Sequence, residues 1–400
     1  MYRLTNAIQN YAWGSRTAIP TLLGTEVTGS PVAEAWFGAH SSAPSHCVRD
    51  DGRPGAPMTE VIAADAAGVL GEDVQARFGA ALPYLLKIIA AETPLSLQVH
   101  PHVERAREGY AEEEAAGVPV DAPHRNFRDR NHKPELVYAL TRFEALCGFR
   151  APRRAAELLK DLGAPLTDEL HAMLADRSGA AGIEAVFTWL LRPETRPSAE
   201  DVGAVAAACA ARLADGSPSP RADRTVVRLQ EAYPGDPGVV TSLLLNPVTL
   251  HPGEALFVPA GGVHAYLNGT GVEIMASSDN VLRAGLTPKH VDVDELLRNV
   301  DYVAAPPIRI APERFHGATR VYYAPVDDFE LSVTGVSDEL VHPLPGRGPR
   351  VLLCLEGRLV VSSQHDGELE LTRGQAAFVP ASDGTLTVQG DGTVVQADVP

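Results

Sequence analysis

The 400-residue sequence has few cysteines and no long apolar runs. Its four cysteines are far apart and form no C-x-x-C pair, so the sequence predicts neither a disulfide framework nor a thiolate zinc site. No stretch approaches the roughly 20 apolar residues of a membrane span, and the first residues contain no apolar segment of signal-peptide length. Together these absences predict a soluble protein of the reducing cytoplasm.

Positive charge is also scarce, with 34 basic against 51 acidic residues and a formal net charge of −17. This charge repels phosphate backbones and anionic lipid, which argues against nucleic acid or a membrane surface as a partner. A small anionic substrate stays compatible, because a local group of Lys and Arg can oppose the overall field at short range. The sequence lacks G-x-G-x-x-G and P-loop patterns, so nothing indicates nicotinamide or nucleoside triphosphate chemistry.

A chain of this length predicts two or three domains. Short strand-like pieces broken by Gly and Pro occupy both ends of the chain, whereas residues 152–234 are Ala-rich and almost free of His. Amphipathic periodicity in this middle block predicts helices at Arg153–Leu162, Thr167–Asp176 and Ala199–Ala214. We interpret the block as an all-helical insertion between two β halves, with a structural or covering role.

One hairpin pattern occurs twice, as L-H-P-G-E-A-L-F-V-P at 250–259 and as L-T-R-G-Q-A-A-F-V-P at 371–380. Two copies of one pattern predict two related β-barrels. The first copy continues into a Gly-Gly turn and a strand that opens with His264, where a barrel site can gather ligands from several strands. The second copy has no corresponding His, so the second barrel is predicted to be non-catalytic.

Apolar and polar residues alternate along Pro94–His102, which predicts a strand with Gln98 and His100 on one face. A Gln and a His two residues apart bring two metal-binding side chains toward one point. Pro134 favours an extended backbone at the entrance of the next apolar strand, so Lys133 and Glu135 are expected to project to the same side. That pair offers one ligand carboxylate beside one ammonium group.

Other charged residues lie in apolar surroundings. Lys87 interrupts the buried strand predicted at Leu82–Ile89, and a structural salt bridge and a place in the wall of a site are equally open for it. Four charges in an otherwise small and apolar stretch need pairing or a ligand: Glu273, Asp279, Arg283 and Lys289. The acidic run at 112–114 is expected to be a solvated face of one helix, followed by a mobile loop.

Gln98, His100, Glu135 and His264 together supply nitrogen and oxygen donors from three strands and no sulfur. Two neutral His, one Glu and one Gln leave a bound divalent ion with net positive charge, which suits a Lewis acid. Zn²⁺ fits this donor set, with Mn²⁺ and Fe²⁺ as alternatives.

Six sequence blocks resemble the type I mannose-6-phosphate isomerase family, in the family's order and with a helical stretch where the family carries one. The blocks are Y-A-W-G at 11–14, A-E-A-W-F-G-A-H at 33–40, P-L-S-L-Q-V-H-P at 94–101, N-H-K-P-E at 131–135, H-P-G-E-A-L-F-V-P-A-G-G-V-H-A-Y-L at 251–267 and S-D-N-V-L-R-A-G-L-T-P-K at 278–289. The resemblance covers nearly the whole chain. One departure is Arg130, which stands where an acid is common in the family.

The resemblance implies a mainly β fold with a helical insertion, built as two cupin-like jelly-roll β-barrels plus an all-α domain. The implied boundaries are a discontinuous catalytic cupin domain at 1–150 and 238–304, a helical insertion at 151–237 and a C-terminal cupin-like domain at 305–400. It further implies one Zn²⁺ per chain on Gln98, His100, Glu135 and His264, and interconversion of mannose 6-phosphate and fructose 6-phosphate. We expect a monomer.

Aldose–ketose isomerisation moves a proton between C1 and C2 through an enediol or enediolate. By resemblance Arg283 is catalytic, and we expect it to stabilise the developing oxyanion. Lys133 is the leading candidate for proton transfer, and His132 and Asp279 are candidates for assisting ring opening. Lys87 and Glu273 are assigned to substrate binding, with Lys87 a candidate partner for the phosphate.

Two other classes of function stay open at this stage. A cupin dioxygenase with Fe²⁺ would use a similar barrel but would consume oxygen. A sugar-phosphate sensor or storage-type double cupin would bind without isomerising, and would need neither Lys133 nor Arg283 beside a metal.

Overall fold

The computed structural model describes residues 1–48, 52–337 and 340–400. Strands predominate, and the 22 strands of the described residues form two sheets of 11 strands each. The first part of the chain contains, in order, β1 (Tyr2–Thr5), β2 (Ala7–Gln9), α1 (Ala18–Leu23), β3 (Glu34–Phe37), β4 (His46–Val48), β5 (Pro54–Pro57), α2 (Met58–Ala64), α3 (Ala66–Leu70), α4 (Glu72–Phe78), β6 (Tyr84–Ala91), β7 (Leu97–Val99), α5 (Val103–Ala115), β8 (Glu135–Ala139) and β9 (Phe143–Phe149).

The middle of the chain is helical, as its periodicity predicts. It forms α6 (Pro152–Leu159), α7 (Pro165–Asp176), α8 (Ala180–Leu191), α9 (Ala199–Ala214), α10 (Pro220–Ala232), α11 (Gly238–Thr241) and a 3-10 turn at Ser242–Leu244. Helices α6, α7 and α10 each begin with a proline, whose fixed φ suits the first helical position. Helix α9 begins with a reciprocal capping box between Ser198 and Asp201.

The helical block packs on one face of the strands that carry the predicted site. Leu97 and Val99 of β7 are fully buried in one apolar core with residues of α8 such as Ile183 and Phe187. Side chains alternate along a strand, so the same packing directs Gln98 to the opposite face. The helices therefore fix which side of β7 faces the cleft.

Strands return after the helical block as β10 (Leu245–Leu250), β11 (Ala255–Val258), β12 (His264–Ala276) and β13 (Leu282–Gly285), followed by helix α12 (Val293–Asn299). The last part of the chain contains β14 (Ile308–Ile310), β15 (Glu313–Phe315), β16 (Thr319–Tyr322), β17 (Glu330–Val336), β18 (His342–Leu344), β19 (Arg350–Ser363), β20 (Gly367–Thr372), β21 (Ala376–Val379), a 3-10 turn at Ala381–Asp383 and β22 (Leu386–Asp398).

The long strand β12 organises the sheet that carries the site. Its first residue, His264, pairs with Gln98 of β7, and its opening residues also pair with β9. From Gly271 onward the same strand pairs with β6 on one side and β8 on the other. One continuous strand thus brings the predicted ligand strands β7 and β8 to the same sheet.

The second sheet joins the two ends of the chain. Its strand order is β15-β16-β17-β22-β19-β21-β1-β4-β5, so β1 pairs with β21 and continues the sheet to β4 and β5. In the opposite direction, β14 pairs with β11 of the first sheet. Strands β1, β4 and β5 thus belong to the second sheet, whereas β2, β3 and β14 belong to the first. In the described ranges, no helix combines the length and the apolar character needed to cross a bilayer.

The loop after α5 is held against that helix by the acidic run at its end. The carboxylate of Glu113 accepts the backbone N–H groups of Asn126 and Phe127, at 2.9 and 2.8 Å. Glu114 accepts from the buried Arg125 guanidinium at 2.7 Å. Glu112 and Glu114 are exposed, as predicted for a solvated face, but the prediction is wrong for Glu113, because two backbone N–H groups and the buried Arg125 use its carboxylate as acceptor. Arg130 lies over the ring of Tyr110, with its guanidinium carbon 5.1 Å from the ring centroid.

Gly109 of α5 allows the closest approach between that helix and the loop, since a Cβ there would overlap the buried ring of Phe127. We expect Gly109→Ala to lower the free energy of unfolding by about 1–3 kcal/mol, because a packed ring cannot move aside freely. Urea unfolding followed by circular dichroism measures the change. In the control Gly203→Ala, the new Cβ meets only a side-chain nitrogen at 3.8 Å, and stability should rise by about 0.5–1 kcal/mol. Equal effects of the two substitutions would contradict the packing argument.

Candidate metal centre and active site

Three of the residues predicted as metal ligands meet at the base of a cleft. His100, Glu135 and His264 each offer one donor atom, and these atoms all lie within 4.8 Å of one another. The two Nε2 atoms are 3.1 and 3.4 Å from the two oxygens of the Glu135 carboxylate. Both imidazoles are fully buried, and Glu135 is 2% exposed and lines the cleft.

Strand register places Gln98 beside these residues. Gln98 on β7 pairs directly with His264 on one side and with Arg283 on the other. Residues directly opposite each other in antiparallel strands point to the same face, so the three side chains form a row. Both Gln98 and Arg283 line the cleft.

The orientation of the two imidazoles fits a metal ion. The Nδ1 atom of His100 lies 2.7 Å from the backbone oxygen of Asn280, and that of His264 lies 2.9 Å from the backbone oxygen of Gly262. A carbonyl oxygen can only accept, so each Nδ1 carries the proton and each Nε2 presents its lone pair. Among the described residues neither buried Nε2 has a hydrogen-bond partner. Buried polar atoms are rarely left in this state, and this tautomer is the one metal-binding His adopts.

The protonation states of His100 and Glu135 also fit metal binding. Burial, reinforced by the positive charge of Lys133, lowers the pKa of His100 to about 4. Burial alone would raise the pKa of Glu135, but His100 and Lys133 outweigh it and hold that pKa well below its ordinary value. At neutral pH the cluster therefore contains a neutral His100 and an ionised Glu135, the forms that bind a metal.

The cleft above the cluster has a volume of about 640 Å³. Aromatic rings of Tyr11, Trp13, Trp36, Tyr233 and Tyr266 contribute to its walls. Lys133 also lines it, with its Nζ 3.2 Å from a Glu135 oxygen, which confirms that Lys133 and Glu135 project to the same side. A space of this size accommodates a sugar phosphate.

A second group of buried charges surrounds Lys87. Its Nζ lies 3.4 Å from the Glu273 carboxylate and 3.9 Å from that of Glu34, and 5.0 Å from the centre of the Trp36 ring. Burial and the nearby Glu135 charge raise the pKa of Glu273 to about 7. Both alternatives for Lys87 hold, since it is salt-bridged and also lines the cleft. Two carboxylates already oppose its charge, which argues against Lys87 as the main partner of a phosphate.

The cations without partners lie elsewhere in the cleft wall. Within the described parts of the chain, no ion-pair partner is found for the side chains of Arg128, Arg283 or Lys289, all of which line the cleft. Burial, and then repulsion by Arg128, lower the pKa of Arg283, while burial, Arg283 and Arg128 lower that of Lys289. We call these three residues the cation cluster. Sequence reasoning noted the unpaired charge of Lys289 but missed Arg128, which carries no local signal.

Asp279 lines the cleft, and its carboxylate lies 3.5 Å from the Nε2 atom of the buried His40. His132 is not among the residues that line the cleft; its ring Nε2 lies 3.0 Å from the Asp328 carboxylate, beyond the site. The structure therefore does not bring His132 into the cleft wall. Neighbouring residues of an extended chain point to opposite sides, so the backbone that aims Lys133 at Glu135 turns His132 away.

Comparison with known proteins decides the family. Residues 1–152 match the model of the phosphomannose isomerase type I catalytic domain. Mannose-6-phosphate isomerase of Escherichia coli K12 is 38% identical over 398 residues, which is 99% of each chain. The human mannose-6-phosphate isomerase is 30% identical, over 96% of this chain and 94% of the relative. The chain belongs to the type I phosphomannose isomerase family.

Solved structures of this family share the fold. Mannose 6-phosphate isomerase from Salmonella typhimurium, bound to fructose 6-phosphate and zinc, superposes with a TM-score of 0.89 at 37% identity, covering 99% of this chain and 98% of that one. A structure of a mannose 6-phosphate isomerase bound with zinc and yttrium superposes with a TM-score of 0.88, also at 37% identity. The resemblance to type I phosphomannose isomerases inferred from the sequence blocks is thereby confirmed over the full length.

The buried imidazole of His100 makes the stability of the metal-free protein depend on pH. Its pKa is about 4 in the folded protein against 6.5 when exposed, so the unfolded chain binds more protons between these values. Stability should therefore be complete above pH 6.5 and fall by roughly 1–3 kcal/mol as the pH approaches 4. Urea unfolding of chelator-treated protein at pH 7 and pH 5 measures this. The variant His100→Gln should lose part of the difference, and an unchanged pH dependence would contradict the assignment.

Proposed function

We propose that this protein interconverts D-mannose 6-phosphate and D-fructose 6-phosphate with one Zn²⁺ per chain. One observation carries the proposal: two buried imidazole Nε2 atoms face a buried carboxylate in a cleft whose wall carries three cations. Among the described residues, neither Nε2 atom has a hydrogen-bond partner and none of the three cations has an ion-pair partner. The first feature suits a Lewis-acidic metal and the second suits a phosphate dianion. Full-length relatives are mannose-6-phosphate isomerases, and the Salmonella relative was solved with fructose 6-phosphate and zinc.

His100, Glu135 and His264 would hold the ion, with Gln98 as the fourth ligand. The support for Gln98 is its direct register with His264 and its place in the cleft wall. An amide is neutral, so this set balances only one of the two positive charges of the ion. Zinc, when bound, supplies a Lewis acid that polarises hydroxyl and carbonyl oxygens of the sugar.

Lys133 is the group we assign to proton transfer. The reaction removes a proton from C2 of the aldose and returns one to C1, while a hydroxyl proton passes from O2 to O1. Lys133 is buried beside Glu135 in the cleft, where its amine form would take the proton from C2 and the resulting ammonium would return one to C1. Arg283, which has no competing carboxylate partner in the described structure, would stabilise the negative oxygen of the enediolate.

The remaining cleft charges are assigned to ring opening and substrate positioning. Asp279 is the candidate for ring opening, and its contact with His40 orients its carboxylate toward the cleft wall. Glu273 and Lys87 would bind sugar hydroxyl groups as one hydrogen-bonded pair. We assign the phosphate to Arg128 and Lys289 of the cation cluster, because a dianion beside them would relieve the repulsion among these two residues and Arg283.

We further propose that the fold consists of two cupin-type jelly rolls and a helical insertion, close to the boundaries stated above. Two separate apolar cores support this: one contains Val137, Leu256 and Tyr266 inside the first sheet, and another contains Leu352 and Val388 inside the second. The strands at residues 2–5 and 46–57 would then belong to the C-terminal barrel.

We also propose a cytoplasmic monomer without nucleic acid or membrane partners. The formal charge of −17 supports the absence of such partners, and four buried free thiols are compatible with a reducing compartment. Light scattering after size exclusion tests the oligomeric state.

A coupled assay of mannose 6-phosphate conversion tests the function. The purified protein should produce fructose 6-phosphate, lose activity on removal of zinc by a chelator, and regain it when zinc is restored. Oxygen uptake during turnover would instead indicate a dioxygenase. Tight binding of the sugar phosphate without conversion would indicate a sensor, and either result would reject the isomerase.

Arg283→Ala should abolish turnover, with a loss of at least about 100-fold in kcat, while the fold and zinc content persist. The physical reason is loss of the only charge in the cross-strand row formed with Gln98 and His264. Steady-state kinetics with metal analysis measures both quantities. Arg283→Lys keeps the charge but not the planar guanidinium, and should retain more activity than the alanine variant. Full activity of Arg283→Ala would remove Arg283 from the mechanism.

Substitution in the cation cluster should act on substrate affinity. Lys289→Ala and Arg128→Ala are each expected to raise KM by about 10-fold or more, because a charge-assisted contact to phosphate is worth roughly 1.5–3 kcal/mol. Arg130→Ala is the matched control, since Arg130 is on the same loop but lies over Tyr110. KM values at low and high salt measure the effect. If Lys87→Ala raised KM more than either of these variants, Lys87 would be the main phosphate-binding residue.

A further inference from the structure

We infer that Asn280 is a positioning residue that couples the metal ligand His100 to the loop carrying Arg128. The inference deepens the proposed function, on which it rests for its reaction. Asn280 is fully buried and belongs to the segment between β12 and β13. It contacts neither the cleft nor the reacting atoms, and acts through the groups that it holds.

One end of the coupling is the backbone of Asn280. Its carbonyl oxygen accepts the Nδ1–H of His100 at 2.7 Å and so selects the tautomer that leaves Nε2 free. The position of this carbonyl decides where the imidazole points. A shift of the peptide would turn the ring or leave its Nδ1–H without an acceptor in a fully buried place.

The other end is the side chain of Asn280. Its Oδ1 accepts the backbone N–H of Arg128 at 2.7 Å and that of Asp129 at 3.3 Å. Its Nδ2 donates to the backbone oxygens of Asp129 and Asn131, both at 2.9 Å. Only an amide can donate to two carbonyls and accept from two N–H groups, so these contacts also fix which atom is Oδ1 and which is Nδ2. The side chain thereby holds residues 128–131, the segment that leads from Arg128 of the cation cluster toward Lys133 and strand β8.

Asp129 reinforces the same junction from the loop side. Its carboxylate accepts the backbone N–H of Asp279 at 2.7 Å and the hydroxyl of Ser278 at 2.9 Å. It also accepts from the Asn280 amide at 3.2 Å. Two segments about 150 residues apart in sequence are thus joined by hydrogen bonds in both directions. We call residues 128–131 and 278–280 with these bonds the clamp.

The clamp links two parts of the proposed site, the metal ligand His100 and the loop that carries Arg128. On one side it fixes the ring of a metal ligand, and on the other it fixes the backbone from which Arg128 reaches the cation cluster. Loss of the Asn280 amide should therefore affect metal binding and phosphate binding together. A residue that serves only stability would change neither affinity.

Asn280→Ala should weaken zinc binding by about 10–100-fold, the range usual for loss of a group that orients a metal-binding His. Competition with a chromophoric chelator measures the zinc affinity without any assay of activity. The control Asn299→Ala removes another buried amide, which donates to a backbone oxygen and to the Glu295 carboxylate on α12. It should lower thermal stability but leave zinc affinity within about twofold. A wild-type zinc affinity in Asn280→Ala, or an equal loss in Asn299→Ala, would overturn the inference.

The kinetics of a double variant test whether the Asn280 side chain acts on phosphate binding through the loop that carries Arg128. If Asn280 acts on the phosphate through Arg128, KM of Arg128→Ala/Asn280→Ala should equal that of Arg128→Ala, whereas additive increases in KM would contradict the coupling. Should Asn280→Ala fail to fold, Asp129→Asn breaks the clamp more mildly and should show a smaller loss of zinc affinity in the same direction. No loss of zinc affinity in Asp129→Asn would then overturn the inference. A wild-type protein that binds zinc but isomerises nothing would reject the proposed function and leave the zinc test of Asn280 valid.

Discussion

The carboxylate of Glu135 is 2% exposed, and three side-chain nitrogen atoms, from His100, His264 and Lys133, lie within 3.4 Å of it. Removing a carboxylate from water costs several kcal/mol, and neutral imidazoles return little of that energy. The positive charge of Lys133 offsets part of this cost. A divalent ion bound by the two Nε2 atoms would offset more of it, because its charge is larger. The strands β7, β8 and β12 converge at this point, so the arrangement of the whole first sheet is tied to the balance of charge at Glu135. Binding of an ion should in turn stabilise the folded chain.

Local patterns predict the parts of the site that lie on single strands. Alternation in Pro94–His102 correctly separates Gln98 from Leu97 and Val99, and the proline before Glu135 correctly places Lys133 beside it. The helix at Ala199–Ala214 is predicted to the residue, because its capping box and apolar periodicity agree. Only the family resemblance predicts that ligands on separate strands form one metal site, because spacing along the sequence does not reveal which strands become neighbours.

Features that depend on distant partners escape sequence reasoning. His132 faces Asp328, almost 200 residues away, and no local pattern shows that contact. Arg128 joins Arg283 and Lys289 only because the clamp folds its loop onto the segment before β13. Glu113 belongs to an acidic run that local sequence predicts to be solvated, yet two backbone N–H groups and a buried arginine contact its carboxylate. In each case the decisive interaction is tertiary, and local propensity carries no information about it.

The pairing of β1 with β21 has a consequence for synthesis of the protein. About 370 residues separate these partners, so the ribosome releases β1 long before its hydrogen-bonding partner exists. At translation rates of 5–20 residues per second this interval is roughly 20–70 s. During that time one edge of β1 has no strand to pair with, and the C-terminal sheet cannot close. The chain can therefore complete this sheet only after its last strands have left the ribosome. Until then the unpaired edge of β1 is accessible to aggregation and to chaperones.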